Sequence, residues 1–424
     1  MLPILILKKG GDLRLNHGHL WIFSNEIANF AELKNIEPGS LVAVRNQQGH
    51  KFGVGYFNPK NLITARILDL DETTKIDSKF FVNKILTALD FRKKLLHQNI
   101  NYCRIIYSEA DSLPGLIVDR FDNVFICQIT TFGMENQKQN ITDALIECFG
   151  EDISILYKND NELRKIEGLP QYQELAFGKQ IGNLNIIENN LNFTINFAFN
   201  KENEEKDENE ASIELKQDYL QKTGWFYDQR LNRQILQELV AKNSKEKELS
   251  VLDCYCYAGG FGINALIGGA KQVTFVDSSK KAIENLNFNL TNHYSQHLTS
   301  TEVVESQAFD FLESASGKQK SYDIVLLDPP AFVKSRKDFF TGLKGYEKLI
   351  KMSCKVLKPA SFLVISSCSH HANLDELISS CNNGFRKAGR KARIYRTSGA
   401  DADHPIIPAI KEGEYLKTIW FYVE

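Results

Sequence analysis

The chain has 424 residues, a formal net charge of −2 and a hydrophobic content of 43%. This length allows more than one domain with a buried core, and the composition is that of a soluble globular protein. The near-neutral charge excludes nucleic-acid binding through a global positive field, so any such contact must come from local patches.

The chain contains eight cysteines, and none of them forms a C-x-x-C pair. Several lie in apolar runs such as FICQIT, which is typical of reduced thiols rather than of disulfides or a zinc site. The start, MLPILILKKGGD, has too short an apolar run for a signal peptide, and no stretch has the length of a membrane span. We therefore expect a cytoplasmic protein with no metal site and no membrane contact.

Residues 1–72 alternate short apolar runs with turn signals. Runs such as LVAVRN, KFGVGYFN and LITARIL predict strands, and KKGGD, EPGS and NQQGH predict the turns between them. We expect a small β domain over 1–72.

Residues 73–200 predict an α+β unit. FFVNKILTALDFRKKLLHQ has apolar residues at helical spacing, and strand-like CRIIYS, GLIVDRF, NVFICQIT and ISILYK follow it. The stretch KENEEKDENE, from Lys201 to Glu210, is acidic and has no apolar residue. We expect a solvated linker without chemistry over 201–214.

Residues 215–424 alternate buried strands with amphipathic helices. LSVLDCYCY, KQVTFVD, YDIVLLD and ASFLVIS are near-continuous apolar runs, which predict a parallel, doubly wound sheet. Ligands bind such sheets beyond the carboxyl ends of the strands. The residues that follow each strand are therefore the candidates for function.

A glycine-rich loop, Asp253 to Gly262, follows the first of these strands, and Asp277 follows the second. The glycines allow a ligand to approach the backbone, and a carboxylate at Asp277 can accept hydrogen bonds from ribose hydroxyls. A turn that needs glycine only for packing is the alternative. G-x-G-x-x-G spacing is absent, so S-adenosylmethionine, which has no phosphate, fits better than a dinucleotide.

Two further aspartates follow strands. Asp310 is a candidate acceptor for an adenine amino group, and a helix N-cap is the equal alternative. Asp328 precedes Pro329 and Pro330, which stiffen the backbone and hold the carboxylate at the sheet edge, where it suits the polar edge of a base. A rigid turn without function is the alternative there.

The stretch SSCSHH places Cys368 just past the strand ASFLVIS. This thiol is a candidate nucleophile, and a small buried hydrophobe is the usual alternative. Metal binding with His370 and His371 lacks a second pair of ligands.

These motifs carry a resemblance. The second half is similar to class I S-adenosylmethionine methyltransferases, and nearly the whole chain resembles the family of ribosomal RNA large subunit methyltransferase I, which makes 5-methylcytosine in 23S rRNA. The stretches that carry it include GGDLRLNHGHLWIFSNEI, SEADSLPGLIVDRFDN, KTGWFYDQRLNR, YAGGFG, LDPPAF, SSCSHH and DHPIIPAIKEGEYLK.

The resemblance implies an α/β chain: a β-barrel PUA domain over 1–72 for binding RNA, a central α+β domain over 73–200 and a Rossmann-like methyltransferase domain over 215–424. It implies S-adenosylmethionine as cofactor and 23S rRNA as partner, and it suggests a homodimer. The residues it assigns to the cofactor are Phe226, Gln229, Arg230, Asp253, Tyr257, Ala258, Gly259, Gly260, Phe261, Asp277, Ser278, Asp310, Phe311, Asp328 and Pro329.

In this family's chemistry a thiolate adds to cytosine carbon 6 and makes carbon 5 nucleophilic. We expect Cys368 to be the nucleophile and Asp328 the partner of ring nitrogen 3 and the exocyclic amine. The base that removes the carbon-5 proton is open between His370, His371 and water. Many RNA cytosine-5 methyltransferases carry a second cysteine where this chain has Ala331 and Phe332, and the family also lacks it.

Contacts with RNA should be local. The expected substrate-binding residues are Pro330, Phe332, Lys334, Arg336, Lys337, His17 and Arg45, with His19 and Arg66 as further candidates. An ordinary solvated loop is the alternative for KSRKD. Rival functions are methylation of an exocyclic amine, a uracil-5 enzyme, and an inactive RNA-binding assembly factor.

Overall fold

A computed structural model describes residues 2–96, 99–197 and 222–424. The described residues within 1–186, 196–225 and 402–413 form one compact unit, and those within 187–195, 226–401 and 414–424 form a second. The acidic segment Lys201–Glu210 and the expected linker over 201–214 lie outside the described residues. The domain boundaries expected at 72 and 200 stay predictions.

The first unit begins with a five-stranded sheet whose strand order is β1-β3-β4-β5-β2. Its strands are β1 (Ile4–Leu7), β2 (Trp21–Phe23), β3 (Ser40–Asn46), β4 (Lys51–Phe57) and β5 (Ile63–Asp69), with short helices α1 (Leu13–Asn16) and α2 (Phe30–Leu33). The core is aliphatic, with Leu5, Val42 and Val44 wholly buried. Sequence patterning missed β2, because three residues are too few to show alternation.

The same unit contains a second five-stranded sheet, of order β10-β9-β8-β7-β6. Its elements are α3 (Ser78–Leu95), β6 (Tyr102–Tyr107), β7 (Leu116–Phe121), β8 (Val124–Ile129), α4 (Phe132–Glu135), α5 (Lys138–Phe149), β9 (Ser154–Asn159), α6 (Leu163–Glu167) and β10 (Tyr172–Phe177). Helix α3 starts where the Asp77 carboxylate accepts from the Phe80 amide. It buries Phe81, Ile85 and Leu89, the spacing of one helical face, against α5 and β6.

A two-stranded sheet, β11 (Leu184–Glu188) and β12 (Leu191–Ile195), follows in the chain. The second unit then holds a seven-stranded sheet flanked by helices. In chain order its elements are α7 (Arg230–Asn243), β13 (Ser250–Cys254), α8 (Gly260–Ile267), β14 (Gln272–Asp277), α9 (Lys280–His293), β15 (Thr301–Glu305), α10 (Ala308–Gly317), β16 (Tyr322–Leu327), α11 (Phe339–Ser353), β17 (Leu357–Ser367), α12 (Leu374–Lys387), β18 (Ala392–Ser398) and β19 (Lys417–Val423).

The seven strands lie in the order β15-β14-β13-β16-β17-β19-β18. The first five are parallel, as the apolar runs predicted, but β19 runs antiparallel to both of its neighbours. Helices cover both faces of this sheet: Ser366 and Thr418 bond on the side of α7, and Ser367 bonds to Tyr346 on α11. The predicted doubly wound α/β architecture is confirmed, with one antiparallel strand, β19, and the edge strand β18 added. Helix α11 ends at Ser353, and Cys354 is its C-cap.

Candidate active site

Asp328 and Cys368 follow neighbouring strands of the large sheet. Strands β16 and β17 are parallel, with Leu327 opposite Ile365, so Asp328 and the SSCSHH turn leave the sheet at the same edge. Both residues are partly exposed, whereas six of the eight cysteines are buried and Cys148 is the other exception. Cys368 is therefore not the small core residue that free cysteine usually is.

Tyr346 connects the two loops on one side of the sheet. Its hydroxyl lies 2.7 Å from Ser367 Oγ and 3.0 Å from Ser369 Oγ, and Ser369 Oγ accepts from the Val333 amide at 3.2 Å. The Phe332 ring packs on Tyr346 with a centroid distance of 4.8 Å. The turn that carries Cys368 is thus tied to the loop that begins at Asp328.

A second polar network supports the same loops from the side of α7. Gln229 Nε2 donates to both oxygens of the Asp328 carboxylate at 3.0 Å, and Asn232 Nδ2 donates to Gln229 Oε1 at 2.6 Å. The Asn232 amide also reaches Thr418 Oγ1 at 3.1 Å, which lies 2.9 Å from Ser366 Oγ. A chain of buried hydrogen bonds therefore runs from Asp328 to the strand that carries Cys368, and such fully bonded networks hold side chains in one arrangement.

The glycine-rich loop after β13 is tightly packed. A Cβ on Gly262 would lie 2.1 Å from the Phe275 ring, and one on Gly260 would lie 2.7 Å from Arg233 Nε. Gly259 has φ +90°, and Tyr255 and Tyr257 also have positive φ. Packing within the loop thus requires glycine at these positions, whether or not a ligand also approaches the backbone there. Ala258 and Phe261 are buried.

Asp253 organises this loop from beneath. Its Oδ2 accepts from the Gly262 amide at 2.8 Å, and the residue is buried. Burial raises the pKa of the Asp253 carboxyl to about 8, helped by the charges of Asp328 and Asp277. The carboxyl is bonded to the loop backbone, so its effect on a ligand is through the shape of the loop.

Asp277 keeps capacity for a ligand. Its carboxylate accepts from the Tyr257 amide at 3.0 Å and the Ser279 amide at 2.8 Å, which leaves further lone pairs on a partly exposed group. Ser278 beside it is exposed. Asp277 therefore remains a candidate acceptor for the hydroxyls of a ribose.

The other predicted cofactor residues differ in environment. Asp310 is exposed in the first turn of α10, whose N-cap is Gln307, so the N-cap alternative for Asp310 was wrong. Phe311 and Pro329 are buried, and the Phe226 ring meets Tyr257 edge to face at 5.3 Å. Arg230 is buried and paired with Asp401 at 3.0 Å. This ion pair gives Arg230 a structural role whether or not it meets a ligand.

The basic residues expected at RNA fall into two groups. Arg45 forms two hydrogen bonds of 2.9 Å with Glu72. Hydrogen bonds from Arg45 and Lys51 lower the pKa of the Glu72 carboxyl to about 2. Arg66 pairs with Glu167 at 3.1 Å. Lys334, Arg336 and Lys337 are exposed like His17, and within the described part of the chain these three form no ion pair. The KSRKD loop therefore has the cations that are open to phosphates. Pro330 beside it is exposed, and His19 is partly buried, which lowers its pKa.

Several residues that support the site were not singled out as site residues from the sequence, although two of them lie in stretches that carry the resemblance. Their hydrogen bonds around the loops of Asp328 and Cys368 join distant parts of the chain; these residues are Asn232, Tyr346, Lys417 and Thr418. His370 and His371 are both exposed, and the His370 ring lies 5.5 Å from the Tyr415 ring. Among residues 2–96, 99–197 and 222–424 there is no group of three metal-ligating side chains, and no helix there is long and apolar enough to span a bilayer.

Comparison with known proteins gives two family matches: a PUA-like domain over residues 5–70 and "Conserved hypothetical protein 95" over 233–392. Ribosomal RNA large subunit methyltransferase I of Aliivibrio fischeri is 30% identical over 417 residues, which cover 97% of each chain. The Photobacterium profundum protein of the same name is 30% identical over 427 residues, covering all of both chains.

Two solved structures share the fold over almost the whole length. A putative methyltransferase, SMU.776, complexed with SAH, has a TM-score of 0.78, and a putative SAM-dependent methyltransferase from Streptococcus mutans has 0.76. Each is 18% identical to this chain and covers 99% of it and 100% of the other chain. The predicted fold, a Rossmann-like unit preceded by a small PUA-like domain and a central α+β sheet, is confirmed.

Proposed function

The chain belongs to the family of ribosomal RNA large subunit methyltransferase I, and from that membership we propose that it forms 5-methylcytosine in 23S rRNA with S-adenosylmethionine as methyl donor. The observation that carries the proposal is the pairing of a partly exposed thiol, Cys368, with a partly exposed carboxylate, Asp328, at adjacent strand ends. Relatives with the family name act, by that name, on ribosomal RNA of the large subunit.

The thiol supplies the nucleophile that cytosine chemistry requires. The Cys368 thiolate adds to carbon 6, and the ring electrons move to carbon 5, which becomes enamine-like. S-adenosylmethionine, when bound, supplies an electrophilic methyl group at that carbon. A base then removes the carbon-5 proton, and the carbon–sulfur bond breaks to release the thiolate. His370, His371 and water remain the candidates for the base.

The carboxylate recognises the base. Both Asp328 oxygens accept from Gln229, which orients the carboxyl group toward the partly exposed edge of the sheet. As negative charge develops on ring nitrogen 3, a proton held between that nitrogen and the Asp328 carboxyl group balances it. The other carboxyl oxygen accepts from the exocyclic amine of cytosine. A uracil, with a carbonyl in place of the amine, would place oxygen against oxygen and is disfavoured.

The cofactor and RNA residues follow from the same arrangement. Asp277 would hold the ribose, and the loop at Gly259–Gly262 would pack beside the ligand. Lys334, Arg336 and Lys337, exposed just past the Asp328 loop, would bind phosphates that flank a base turned out of its stack. A homodimer and a cytoplasmic location stay predictions.

The decisive experiment compares Cys368→Ala with Cys148→Ser, which changes the other partly exposed thiol. The full-length proteins are returned to cells that lack the gene, and nucleosides of 23S rRNA are identified by mass spectrometry. We expect 5-methylcytosine to be restored by the Cys148 variant and not by the Cys368 variant. Methylation that survives Cys368→Ala, or that falls on an exocyclic amine, would contradict the mechanism.

A trapping experiment tests the covalent step directly. RNA that carries 5-fluorocytidine cannot lose a proton from carbon 5, so the adduct cannot be released by elimination. With S-adenosylmethionine present, the native protein should form a stable protein–RNA adduct whose cross-linked peptide contains Cys368. Failure of the native protein to form it would point to an amine methyltransferase or to an inactive RNA-binding factor.

A further inference from the structure

Lys417 is a buried cation beside the turn that carries Cys368. It opens strand β19 and lies opposite Ser367 in the antiparallel pairing of β17 with β19. The residue is buried, with 8% of its surface exposed. Its ammonium group donates to the carbonyl oxygen of Ser369 at 2.8 Å and of Ala372 at 2.7 Å. One side chain thus holds both ends of the turn that follows Cys368.

The two hydrogen bonds to carbonyl oxygens do not explain why this position carries a charged side chain. A neutral amide could donate to two carbonyls, whereas burying an ammonium is costly unless a negative charge balances it. Within the described chain no carboxylate lies within ion-pair distance of Lys417. Burial lowers the pKa of the Lys417 ammonium, while the charges of Glu414, Cys368 and Glu376 act in the opposite direction.

In the pairing of β17 with β19, Lys417 lies opposite Ser367, and Cys368 is the next residue after Ser367. The Cys368 thiol is thus the ionisable group of the site that this pairing brings nearest to Lys417. Tyr346 bonds to Ser367 and Ser369 from α11, on either side of the thiol. The titratable and charged groups around this turn are Tyr346 from α11, Glu376 from α12, Lys417 from β19, Asp328 from the preceding loop, the neighbouring Glu414 and Tyr415, and His370 and His371 of the turn itself. Lys417 is the cation among them that is fixed by hydrogen bonds to the turn.

We propose that Lys417 is a positioning residue of the methyltransferase site, which fixes the Cys368 turn and stabilises the thiolate by its charge. This inference rests on the proposed function, because it concerns the nucleophile of that reaction. A nearby ammonium favours the ionised thiol, so more of Cys368 is nucleophilic at neutral pH. The carbonyl contacts keep the ammonium from moving toward solvent.

The test measures how alkylation of Cys368 depends on pH. Full-length native protein, Lys417→Arg and Lys417→Gln are treated with iodoacetamide, in which the thiolate displaces iodide, and the labelled peptides are quantified by mass spectrometry. The Gln variant keeps a donor without the charge, and the Arg variant keeps the charge. Cys148 in the same molecules reports any general loosening of structure.

We expect the alkylation midpoint of Cys368 to rise by about one to two pH units in the Gln variant, with the Arg variant close to native and Cys148 unchanged. An unchanged Cys368 midpoint in a folded Gln variant would overturn the proposal. The native protein alone also tests it: the Cys368 midpoint should lie below that of N-acetylcysteine amide, and a midpoint at or above that value would overturn it.

The two proposals fail in different ways. If the native protein forms no adduct with 5-fluorocytidine RNA, the cytosine mechanism is wrong, while the alkylation series still reports whether Lys417 stabilises the thiolate. If the adduct forms but the alkylation midpoint of Cys368 is the same in the native protein and the Lys417→Gln variant, Cys368 is the nucleophile and the proposed role of Lys417 is wrong.

Discussion

The two ends of β16 carry the same residue in different surroundings. At the amino end, Asp323 accepts from Lys247 at 2.8 Å, from Lys358 at 2.7 Å and from the Ser250 amide at 3.0 Å. Burial alone would raise the pKa of Asp323, but hydrogen bonds from the two lysines outweigh it and hold that pKa well below its usual range. At the carboxyl end, Asp328 meets the neutral amide of Gln229.

The difference shows how a fold separates structural from reactive carboxylates. Asp323 is neutralised by two cations and fully bonded, so it joins β13, β16 and β17 and has nothing left to offer a ligand. Asp328 is oriented by a neutral amide and stays partly exposed, so its carboxyl group is accessible to a substrate. Substitutions at the two ends of β16 test this contrast.

Asp328→Asn should abolish most of the activity without unfolding the protein. The amide keeps the shape but cannot accept at both positions, so we expect kcat/KM to fall about a thousandfold. Methyl transfer to unmodified 23S rRNA measures the loss, and thermal unfolding checks the fold. Activity within tenfold of native would remove Asp328 from the mechanism.

Asp323→Ala should show the opposite behaviour. Two lysines lose their acceptor and the Ser250 amide is left without one, which should lower the free energy of unfolding by about 2 kcal/mol. Activity per folded molecule should stay at the native level. Urea unfolding measures the first effect, and a large loss of kcat in fully folded protein would break the comparison.

Gln229→Met should weaken the site by orienting Asp328 less well. Losing a hydrogen-bond donor to a carboxylate costs about 1.5 kcal/mol, so kcat/KM should fall about tenfold. Gln234→Met, on the exposed side of helix α7, is the matched control and should have native activity, since the Gln234 side chain donates to Glu238 in an exposed pair away from Asp328. Equal effects of the two changes would remove Gln229 from the site.

Asp253→Asn should change how stability depends on pH. Because burial raises the pKa of Asp253 to about 8, the folded chain holds a proton that the unfolded chain loses above about pH 4. Native stability should therefore fall as pH rises toward 8, by up to about 1.4 kcal/mol per pH unit from this group.

The Asn variant has no such proton to lose, so its stability relative to the native protein should rise between about pH 4 and 8 and then level off. Urea unfolding of both proteins without ligand measures it. A difference that stays constant across this range would show that Asp253 is charged in the fold.

The sequence predicted the parts of this molecule that depend on local pattern. Continuous apolar runs predicted β13, β14, β16 and β17, and the parallel arrangement of these strands brought Asp328 and Cys368 to one edge. Strand β19 carries a similar run, but nothing local indicates that it enters the sheet antiparallel between β17 and β18.

The supporting residues could not be predicted, because their roles arise from contacts between distant segments. Asn232 and Thr418 are 186 residues apart and meet at 3.1 Å. Lys417 lies between Leu416 and Thr418 at the start of an apolar run, and its burial beside the cysteine turn is set by the pairing of β19 with β17. Asp310 was offered as an N-cap and lies instead in the first turn of α10, because the sequence pattern does not distinguish an N-cap aspartate from one in the first turn.

The antiparallel entry of β19 makes the alignment of that strand critical to a chemistry that it does not itself perform. Neighbouring residues of a strand face opposite sides, so Lys417 turns toward the cysteine loop and Thr418 toward the hydrogen bonds that lead to Asp328. A slip of one position would exchange the two, placing an ammonium among the neutral amides and a hydroxyl where the charge is needed. The register of the β17–β19 pairing thus positions both the Lys417 contacts at the cysteine loop and the Thr418 hydrogen bonds that lead to Asp328.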